Sequence, residues 1–381
     1  MRIHIVLLAV LAFALTACTA RRGEEGYFAA KLGDDTVAVE SYQMTGNGIQ
    51  GTSVALSPKT TMRHYSMTFD NKGLPESLSI KSGPADGGNQ IVREYRFFGD
   101  SIEIVTTRNG VSKTNTAKVA GRPYPYFENI FGIWDYAIHH ALESKEAMEF
   151  STFFGNRVLK YTVQGTIPGK LELTTADQEF GPLYATVDST GSLERFDMTA
   201  TTAKYIVERS PRLDIDAMAK YYTAREEAGH GVGILSPRDT VRAEINHAMI
   251  LVDYGRPEMR GRTIFGKVVP WNQVWRLGAN AATQLVTNRT LAFGRTIVRP
   301  GTYSLFALPS EKGFKLIINF EHGQWGTNYN ASKDLARLAM RTTRLKEPVE
   351  QFTFDLKGHG RKGVLSFKWE KTEESIPFTV R

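Results

Sequence analysis

Arginines are concentrated in one stretch of the sequence, between Arg256 and Arg299. The stretch contains a single acid, Glu258, whereas the whole chain of 381 residues has a formal charge of +7. The planar guanidinium group pairs with carboxylate or phosphate through parallel hydrogen bonds. The stretch therefore predicts contact with an anion, and its basic members are Arg256, Arg260, Arg262, Lys267, Arg276, Arg289, Arg295 and Arg299.

Glycine, proline and aromatic residues accompany three of these arginines, in the segments 254–257, 261–262 and 275–280. Glycine and proline fix the loop backbone, so little entropy is lost when a ligand is held. Aromatic rings stack on sugars, and an asparagine side chain both donates and accepts hydrogen bonds. The predicted ligand-binding residues are Tyr254, Arg256, Arg262, Trp275, Arg276, Asn280 and Trp325. Alternatively, the arginines lie on solvated strand faces or pair with Asp239, Glu244, Asp253, Asp334 and Glu350.

Common catalytic motifs, such as H-E-x-x-H, G-x-S-x-G and the Walker loop, are absent from the sequence. Gly46–Gly51 fits the G-x-G-x-x-G pattern, but another strand pattern follows it where a dinucleotide site requires a helix. We interpret this segment as a hairpin turn. His139, His140 and Glu143 place a histidine and a carboxylate one helical turn apart, yet no third metal ligand can be named. We therefore predict neither a metal nor a cofactor.

The only cysteine, Cys18, follows a short apolar segment. Arg2 and His4 precede the apolar run Ile5–Ala14, which is too short to span a membrane but typical of a signal peptide. Leu15-Thr16-Ala17-Cys18 resembles the acylation signal of bacterial lipoproteins. We expect residues 1–17 to be removed, Cys18 to carry the lipid anchor and Thr19 to direct the protein to the outer membrane. The alternative is an ordinary secreted protein with a chance cysteine.

The rest of the chain predicts a mainly β (α+β) protein of two domains. After a tether at residues 18–26, residues 27–228 show strand patterns at 36–42, 65–69, 102–106 and 158–163. Apolar spacing predicts one long helix at about 126–150 and a shorter one at 214–228 that ends at Gly229. We expect a curved antiparallel sheet that packs on the long helix. Residues 229–235 form the predicted linker.

Residues 236–381 show strands and turns without a long helix, which predicts a β-sandwich-like domain. Several segments of it resemble the domain of unknown function 2911 family, in order and at the expected separations: 236–241, 254–257, 261–266, 269–270, 275–280, 300–306, 324–326 and 369–370. The resemblance covers roughly residues 235–380. It implies an exported module common in envelope proteins of some bacterial phyla and implies no known reaction.

These features favour a lipid-anchored protein of the bacterial envelope that binds an anionic glycan, a lipid head group or a partner protein. Nucleic acid is not an expected partner, because the basic segment lies in an exported chain. The alternative is a hydrolase acting on an envelope polymer or ester. Its acid and base candidates in the C-terminal domain are Asp253, Asp334, His322 and His359.

Overall fold

The computed structural model describes residue 21 and residues 23–85, 87–144, 148–177 and 179–381. The chain divides into two compact units at the boundary between Gly233 and Ile234. Cys18 and the predicted signal peptide lie outside the described residues. Within the described part, each helix is too short or too polar to cross a membrane.

The N-terminal unit is built on one sheet, in which each strand lies antiparallel to its neighbours except for one parallel pair. Its strands are β1 (Glu25–Leu32), β2 (Asp35–Met44), β3 (Gly48–Ala55), β4 (Thr61–Phe69), β5 (Pro75–Pro84), β6 (Ile91–Phe98), β7 (Ser101–Arg108), β8 (Val111–Lys118), β9 (Tyr124–Pro125), β10 (Glu149–Phe154), β11 (Arg157–Ile167), β12 (Lys170–Thr174), β13 (Leu183–Val187), β14 (Leu193–Asp197) and β15 (Ile206–Arg209). The sheet runs from β8 down to β1, continues through β15 and ends at β9.

The contacts of helix α1 (Gly132–Glu143) with strands that are far apart in the sheet show that the sheet is curved. The helix contacts β3 near the middle of the strand order and β9 at its far edge. Nine strand spacings of ~4.8 Å would separate these strands by about 43 Å in a flat sheet, whereas a helix is only ~10–12 Å wide. The sheet must therefore wrap around α1. This confirms the predicted curved antiparallel sheet with a helix.

A second helix, α2 (Ile215–Glu227), packs on the opposite face of the same sheet. Ile215 and Ala219 lie against Val39 and Val54 of the central strands. The side chain of Asp214 accepts a hydrogen bond from Ala217 N at 2.9 Å and so caps the helix. The predicted helix at 214–228 is confirmed, and Gly229 follows it with φ +79°.

The predicted bounds of the long helix were wrong at both ends. Tyr124–Pro125 forms a short strand beside β10, and Tyr126 N donates to Phe153 O at 2.9 Å, so this segment is extended. The helix begins only at Gly132, so residues 126–131 form a loop instead of its first turns. Phe150 lies in strand β10 rather than in the helix. Some of the apolar side chains whose spacing suggested a helix are therefore buried from a strand and a loop instead.

The C-terminal unit consists of two sheets that share one apolar core. Its elements are β16 (Arg238–Ile245), β17 (Ala248–Gly255), β18 (Thr283–Thr287), β19 (Leu291–Phe293), β20 (Thr296–Val298), β21 (Gly301–Ser310), β22 (Gly313–Asn319), the 3-10 helix η1 (Ala331–Lys333), β23 (Asp334–Ala339), β24 (Arg341–His359) and β25 (Lys362–Val380). One sheet has the order β16-β17-β18-β21-β22-β23 and the other β20-β19-β25-β24. Leu305 and Ile318 of the first sheet share the core with Phe352 and Phe367 of the second. The predicted β-sandwich-like arrangement is confirmed.

Candidate functional site

Glu40 fixes the position at which helix α1 begins. Phe131, the residue before the helix, has no side-chain cap, but the fully buried carboxyl of Glu40 on β2 accepts hydrogen bonds from Phe131 N at 2.5 Å and Gly132 N at 3.1 Å. Tyr65 OH donates to the same carboxyl at 2.6 Å. Burial raises the pKa of Glu40 to about 8, although these donors oppose the rise. The segment that leads into the helix is thereby pinned to the sheet.

Asp135 fixes the first turn of the helix in the same way. Its buried carboxylate accepts hydrogen bonds from Arg21 at 2.7 Å, Arg209 at 3.2 Å and the hydroxyl of Tyr42. The other carboxylate oxygen accepts from Leu193 N at 2.6 Å. A buried charge with this many donors is satisfied, so Asp135 is a structural anchor. It holds the helix and the loop that precedes it in one position.

A cleft of about 320 Å³ lies between this preceding loop and the inner face of the sheet. Alternate side chains of a strand point to the same face of the sheet. On β4, Tyr65, Met67 and Phe69 are buried on the face toward the helix, and Arg63 lies on that face too. On β6 the buried Tyr95 places Arg93 on that face as well. Residues 125–129, from the end of β9 into the loop, and residues 153–155, at the end of β10, form one wall. The facing strands contribute Arg63, Ile80, Ser82, Arg93, Tyr95 and Ile104. We call this the inner-face cleft.

The two arginines of the inner-face cleft carry more positive charge than the one acid of its lining can offset. Across the described residues, no carboxylate lies within ion-pair distance of Arg63 or Arg93, and neither guanidinium forms a hydrogen bond. Burial lowers the pKa of Arg63; the carboxylate of Glu128 opposes this effect, whereas the neighbouring charge of Arg93 adds to it. Two like charges in a recess attract an anion. Glu128 is the one acid in the lining, and desolvation raises its pKa although its side chain still reaches solvent.

Two buried polar atoms in the same cleft have no hydrogen-bond partner within the described residues. They are Ser82 Oγ and Asn129 Oδ1. Ser82 lies opposite Arg63 in the β4–β5 register, so its hydroxyl is beside the charged pair. Leaving such an atom unsatisfied costs roughly 1–3 kcal/mol. A polar molecule in the cleft would supply the missing hydrogen bond.

Tyr254 and Trp275, which we predicted to present stacking surfaces, lie against the core of the C-terminal unit. Tyr254 is 2% exposed, and its hydroxyl accepts a hydrogen bond from Phe354 N at 3.1 Å. The Trp275 ring stacks on Trp369 at 5.8 Å, and its Nε1 donates to Gly278 O at 3.2 Å. In this structure their ring faces are therefore used for packing.

The predicted arginines of the C-terminal unit contact other parts of the protein. Arg256 forms an ion pair with Asp239 at 2.9 Å, as the alternative interpretation anticipated, and Arg262 donates to Glu258 O at 2.7 Å. The structure does bring Arg276, Asn280 and Trp325 together. Arg276 Nη1 lies 3.5 Å from Asn280 O, and the same carbonyl accepts from Gly326 N at 3.0 Å. Trp325 is 42% exposed, and ligand binding at this second cluster stays a prediction.

The acid and base candidates of the hydrolase hypothesis lie on separate elements. Asp253 on β17 pairs with Arg238 at 2.9 Å, and Asp334 on β23 accepts from Tyr329 OH at 2.6 Å. His322 is in the loop after β22, and His359 ends β24. Across the part of the chain that the structure describes, no hydrogen bond or ion pair joins any two of them. They do not form a nucleophile–base pair in this structure.

The histidines of helix α1 also have partners within the protein. His139 Nε2 lies 3.4 Å from Glu143, and His140 Nδ1 lies 2.8 Å from Tyr124 OH. In the residues described, no group of three or more His, Cys, Asp or Glu side chains is arranged to hold a metal ion. Within the described residues, the two histidines therefore have no third such side chain beside them.

Sequence analysis missed the inner-face cleft because its residues are far apart in the chain. A signal was nevertheless present. Arg63 precedes Tyr65, Met67 and Phe69 with the same period of two, and Arg93 similarly precedes Tyr95. An arginine at an inward-facing strand position is unusual, since charged residues are rarely buried without a partner. Noting which charged residues share the inward-facing positions of a strand would have identified Arg63 and Arg93 as candidates.

The comparison with known families concerns the C-terminal unit. Residues 236–378 match the family described as Protein of unknown function (DUF2911). The C-terminal unit is thus similar to this family over almost its whole length. The match confirms the resemblance found in the sequence and covers the two-sheet unit almost completely, while the N-terminal unit, which holds the inner-face cleft, has no family match.

Comparisons with individual proteins add little to this assignment. No curated protein matches the chain. Among solved structures, a chain from a structural and mechanistic analysis of two prolyl endopeptidases is 11% identical, with a TM-score of 0.14. The alignment covers 94% of this chain and 48% of that chain, so this chain spans about half its length.

Proposed function

We propose that this chain is a lipid-anchored protein of the bacterial envelope that binds an anionic ligand without transforming it. The observation that carries the binding proposal is the pair Arg63 and Arg93, which form no ion pair or hydrogen bond within the described residues and outnumber Glu128, the one acid of the lining. The partnerless Ser82 Oγ and Asn129 Oδ1 lie in the same cleft. An anion with several oxygens would pair with both guanidinium groups and accept a hydrogen bond from the Ser82 hydroxyl.

The size of the cleft favours a small ligand or one end of a larger one. Small-molecule sites span roughly 300–1,000 Å³, and the inner-face cleft lies at the lower limit with about 320 Å³. A protein partner would need about 800 Å² of surface on each side, which this recess does not offer. A phosphorylated or carboxylated head group, from a lipid or a single sugar, fits these dimensions better.

The cleft lining supports binding rather than hydrolysis. It contains no histidine, cysteine or lysine, and its one carboxyl group, Glu128, has a raised pKa. Ser82 has no base beside it to activate its hydroxyl. The arrangement therefore offers charge and hydrogen bonds to a ligand but no activated nucleophile.

The envelope address and the lipid anchor are supported by the sequence. The apolar run at residues 5–14, followed by Leu15-Thr16-Ala17-Cys18, has the order of a lipoprotein signal. A protein held at the membrane surface by Cys18 would meet anionic head groups and envelope glycans at high local concentration. Anchor and cleft together suit a carrier or a receptor for such molecules.

Anion binding is tested by calorimetric titration of the chain from residue 18 with glycerol 3-phosphate and with carboxylated and phosphorylated sugars. We expect Arg63→Gln and Arg93→Gln each to weaken binding at least tenfold, because a charge-assisted hydrogen bond contributes roughly 1.5–3 kcal/mol. For the carboxylated sugars, which stay ionised, binding should strengthen as the pH falls and Glu128 takes up its proton, since one negative charge then leaves the cleft.

The matched control is Arg96→Gln, on strand β6 with Arg93. Arg96 has the opposite parity, is exposed and pairs with Glu103 at 3.2 Å, so its loss should leave anion affinity unchanged. Equal loss of binding in all three variants would indicate general charge attraction rather than a site. No binding of any anion by the wild-type chain would refute the proposed function.

A further inference from the structure

Besides its charged and polar groups, the inner-face cleft has an apolar part. Ile80 and Phe153 in its lining are buried, and Phe154 at the end of β10 is 38% exposed. Tyr126 packs edge-on against Phe154, with ring centroids 5.3 Å apart. A single exposed aromatic residue is ordinary, but this one borders a charged recess. The cleft thus combines a cationic part with an apolar wall.

This combination fits an amphiphile better than a sugar. A sugar ring carries several hydroxyl groups that need partners, whereas two lining atoms are unsatisfied within the described residues, Ser82 Oγ and Asn129 Oδ1. Stacking on a sugar also needs an open aromatic face. Here Tyr95 and Phe127 pack edge to face at 81°, and Tyr126 and Phe154 at 74°, so that one ring of each pair covers a face of the other.

We propose that the inner-face cleft binds an amphiphile with one phosphate or carboxylate head and an alkyl chain. The inference rests on the proposed function and names its ligand class. The head group lies between Arg63 and Arg93 and receives the hydrogen bond of Ser82. The chain lies along Ile80, Phe153 and Phe154. A cleft of about 320 Å³ holds the head group and the first part of one chain, so a single-chain lipid is favoured over a double-chain one.

The test is a chain-length series on the chain of residues 18–381 carrying Cys18→Ser, so that no acyl group of its own competes for the cleft. The probes are glycerol 3-phosphate and butyl, hexyl and octyl phosphate, each below its micelle concentration. Each methylene that becomes buried should lower Kd about fourfold until the chain outgrows the cleft. Neutral octyl glucoside should bind at least tenfold more weakly than octyl phosphate. Octanoate distinguishes a carboxylate head from a phosphate head, and binding of either supports the proposal.

Two phenylalanines supply a matched pair of variants for the apolar wall. Phe154→Ser should reduce the gain per methylene, whereas Phe98→Ser should not, because Phe98 is 49% exposed on the outward face of β6. Both side chains are partly exposed, so both variants are expected to fold.

Three results would overturn the inference in distinguishable ways. If octyl phosphate binds no more tightly than glycerol 3-phosphate, the anion site stands and the amphiphile is wrong. If neither the phosphates nor octanoate binds, the proposed function falls with the inference. If octyl phosphate and octyl glucoside bind equally and Arg63→Gln has no effect, the cleft is a nonspecific apolar surface and both proposals fail.

Discussion

At the scale of single residues, the molecule contains carboxyl groups whose surroundings favour the neutral form. Glu374 on β25 is fully buried, and neither of its oxygens has a hydrogen bond of ordinary geometry within the described residues. Burial raises its pKa to about 7, and the hydroxyl of its cross-strand neighbour Thr342 offsets only part of the rise. This carboxyl therefore prefers a proton at neutral pH.

Glu374 should make the C-terminal unit less stable as the pH rises. In the unfolded chain the group loses its proton near its ordinary pKa of 4.5, whereas in the folded chain it keeps the proton to about 7. The unfolded state is therefore favoured increasingly between these two values, and the loss is constant above them, at most about 3 kcal/mol. Glu374→Gln should remove this loss. Urea unfolding of both proteins from pH 4 to 8 measures the difference, and a constant difference across that range would contradict the assignment.

Some residue-level features were predictable from sequence and others were not. The pairing of an arginine such as Arg256 with Asp239 was one of two interpretations that remained open, because spacing along the chain does not show which acid lies across a sheet. The cluster of Arg276, Asn280 and Trp325 was found because its first two members are close in the sequence. Arg63 and Arg93 were missed because only the strand pairing brings them together.

At the scale of elements, helix α1 is held by ionisable side chains that are distant in the sequence. Asp135 in its first turn binds Arg21 before β1 and Arg209 on β15, and Glu40 on β2 binds the backbone ahead of the helix. The sequence showed the helix through its apolar spacing, but its start depends on Glu40, about 90 residues earlier. This long-range cap explains why the predicted bounds were too wide while the existence of the helix was correct.

Asp135→Asn should destabilise the N-terminal unit strongly. The change removes the negative charge that neutralises Arg21 and Arg209, and breaking such a buried pair typically costs ~3–5 kcal/mol. Asp34→Asn, in the exposed turn between β1 and β2, is the control and should cost little. Urea unfolding measures both. An Asp135→Asn protein as stable as the control would show that the network does not hold the helix.

At the scale of the whole molecule, a matched family identifies only one of the two units. The DUF2911 match was visible in the sequence because its glycine-rich and tryptophan-containing segments are short and follow one another in the same order as in the family. The N-terminal unit has a repetitive antiparallel sheet, and alternating patterns of this kind are shared by many unrelated folds. Its curvature around α1 could be anticipated from one helix among many strands, but its strand order could not.

The proposed anchor gives a prediction for the complete protein in its cell. Cys18→Ala should abolish incorporation of radiolabelled palmitate and release the protein from the membrane fraction, because Cys18 is the only cysteine available for acylation. Palmitate that still entered the variant would show that the anchor is elsewhere.

The central claim is that Arg63 and Arg93 bind the anionic head of a ligand, and a crystal structure with octyl phosphate tests it most directly. The account predicts phosphate oxygens at ~2.7–2.9 Å from both guanidinium groups, with Ser82 Oγ donating to the same phosphate and the alkyl chain along Phe153 and Phe154. A phosphate bound instead at Arg276, Asn280 and Trp325, with the inner-face cleft free of ligand, would contradict it.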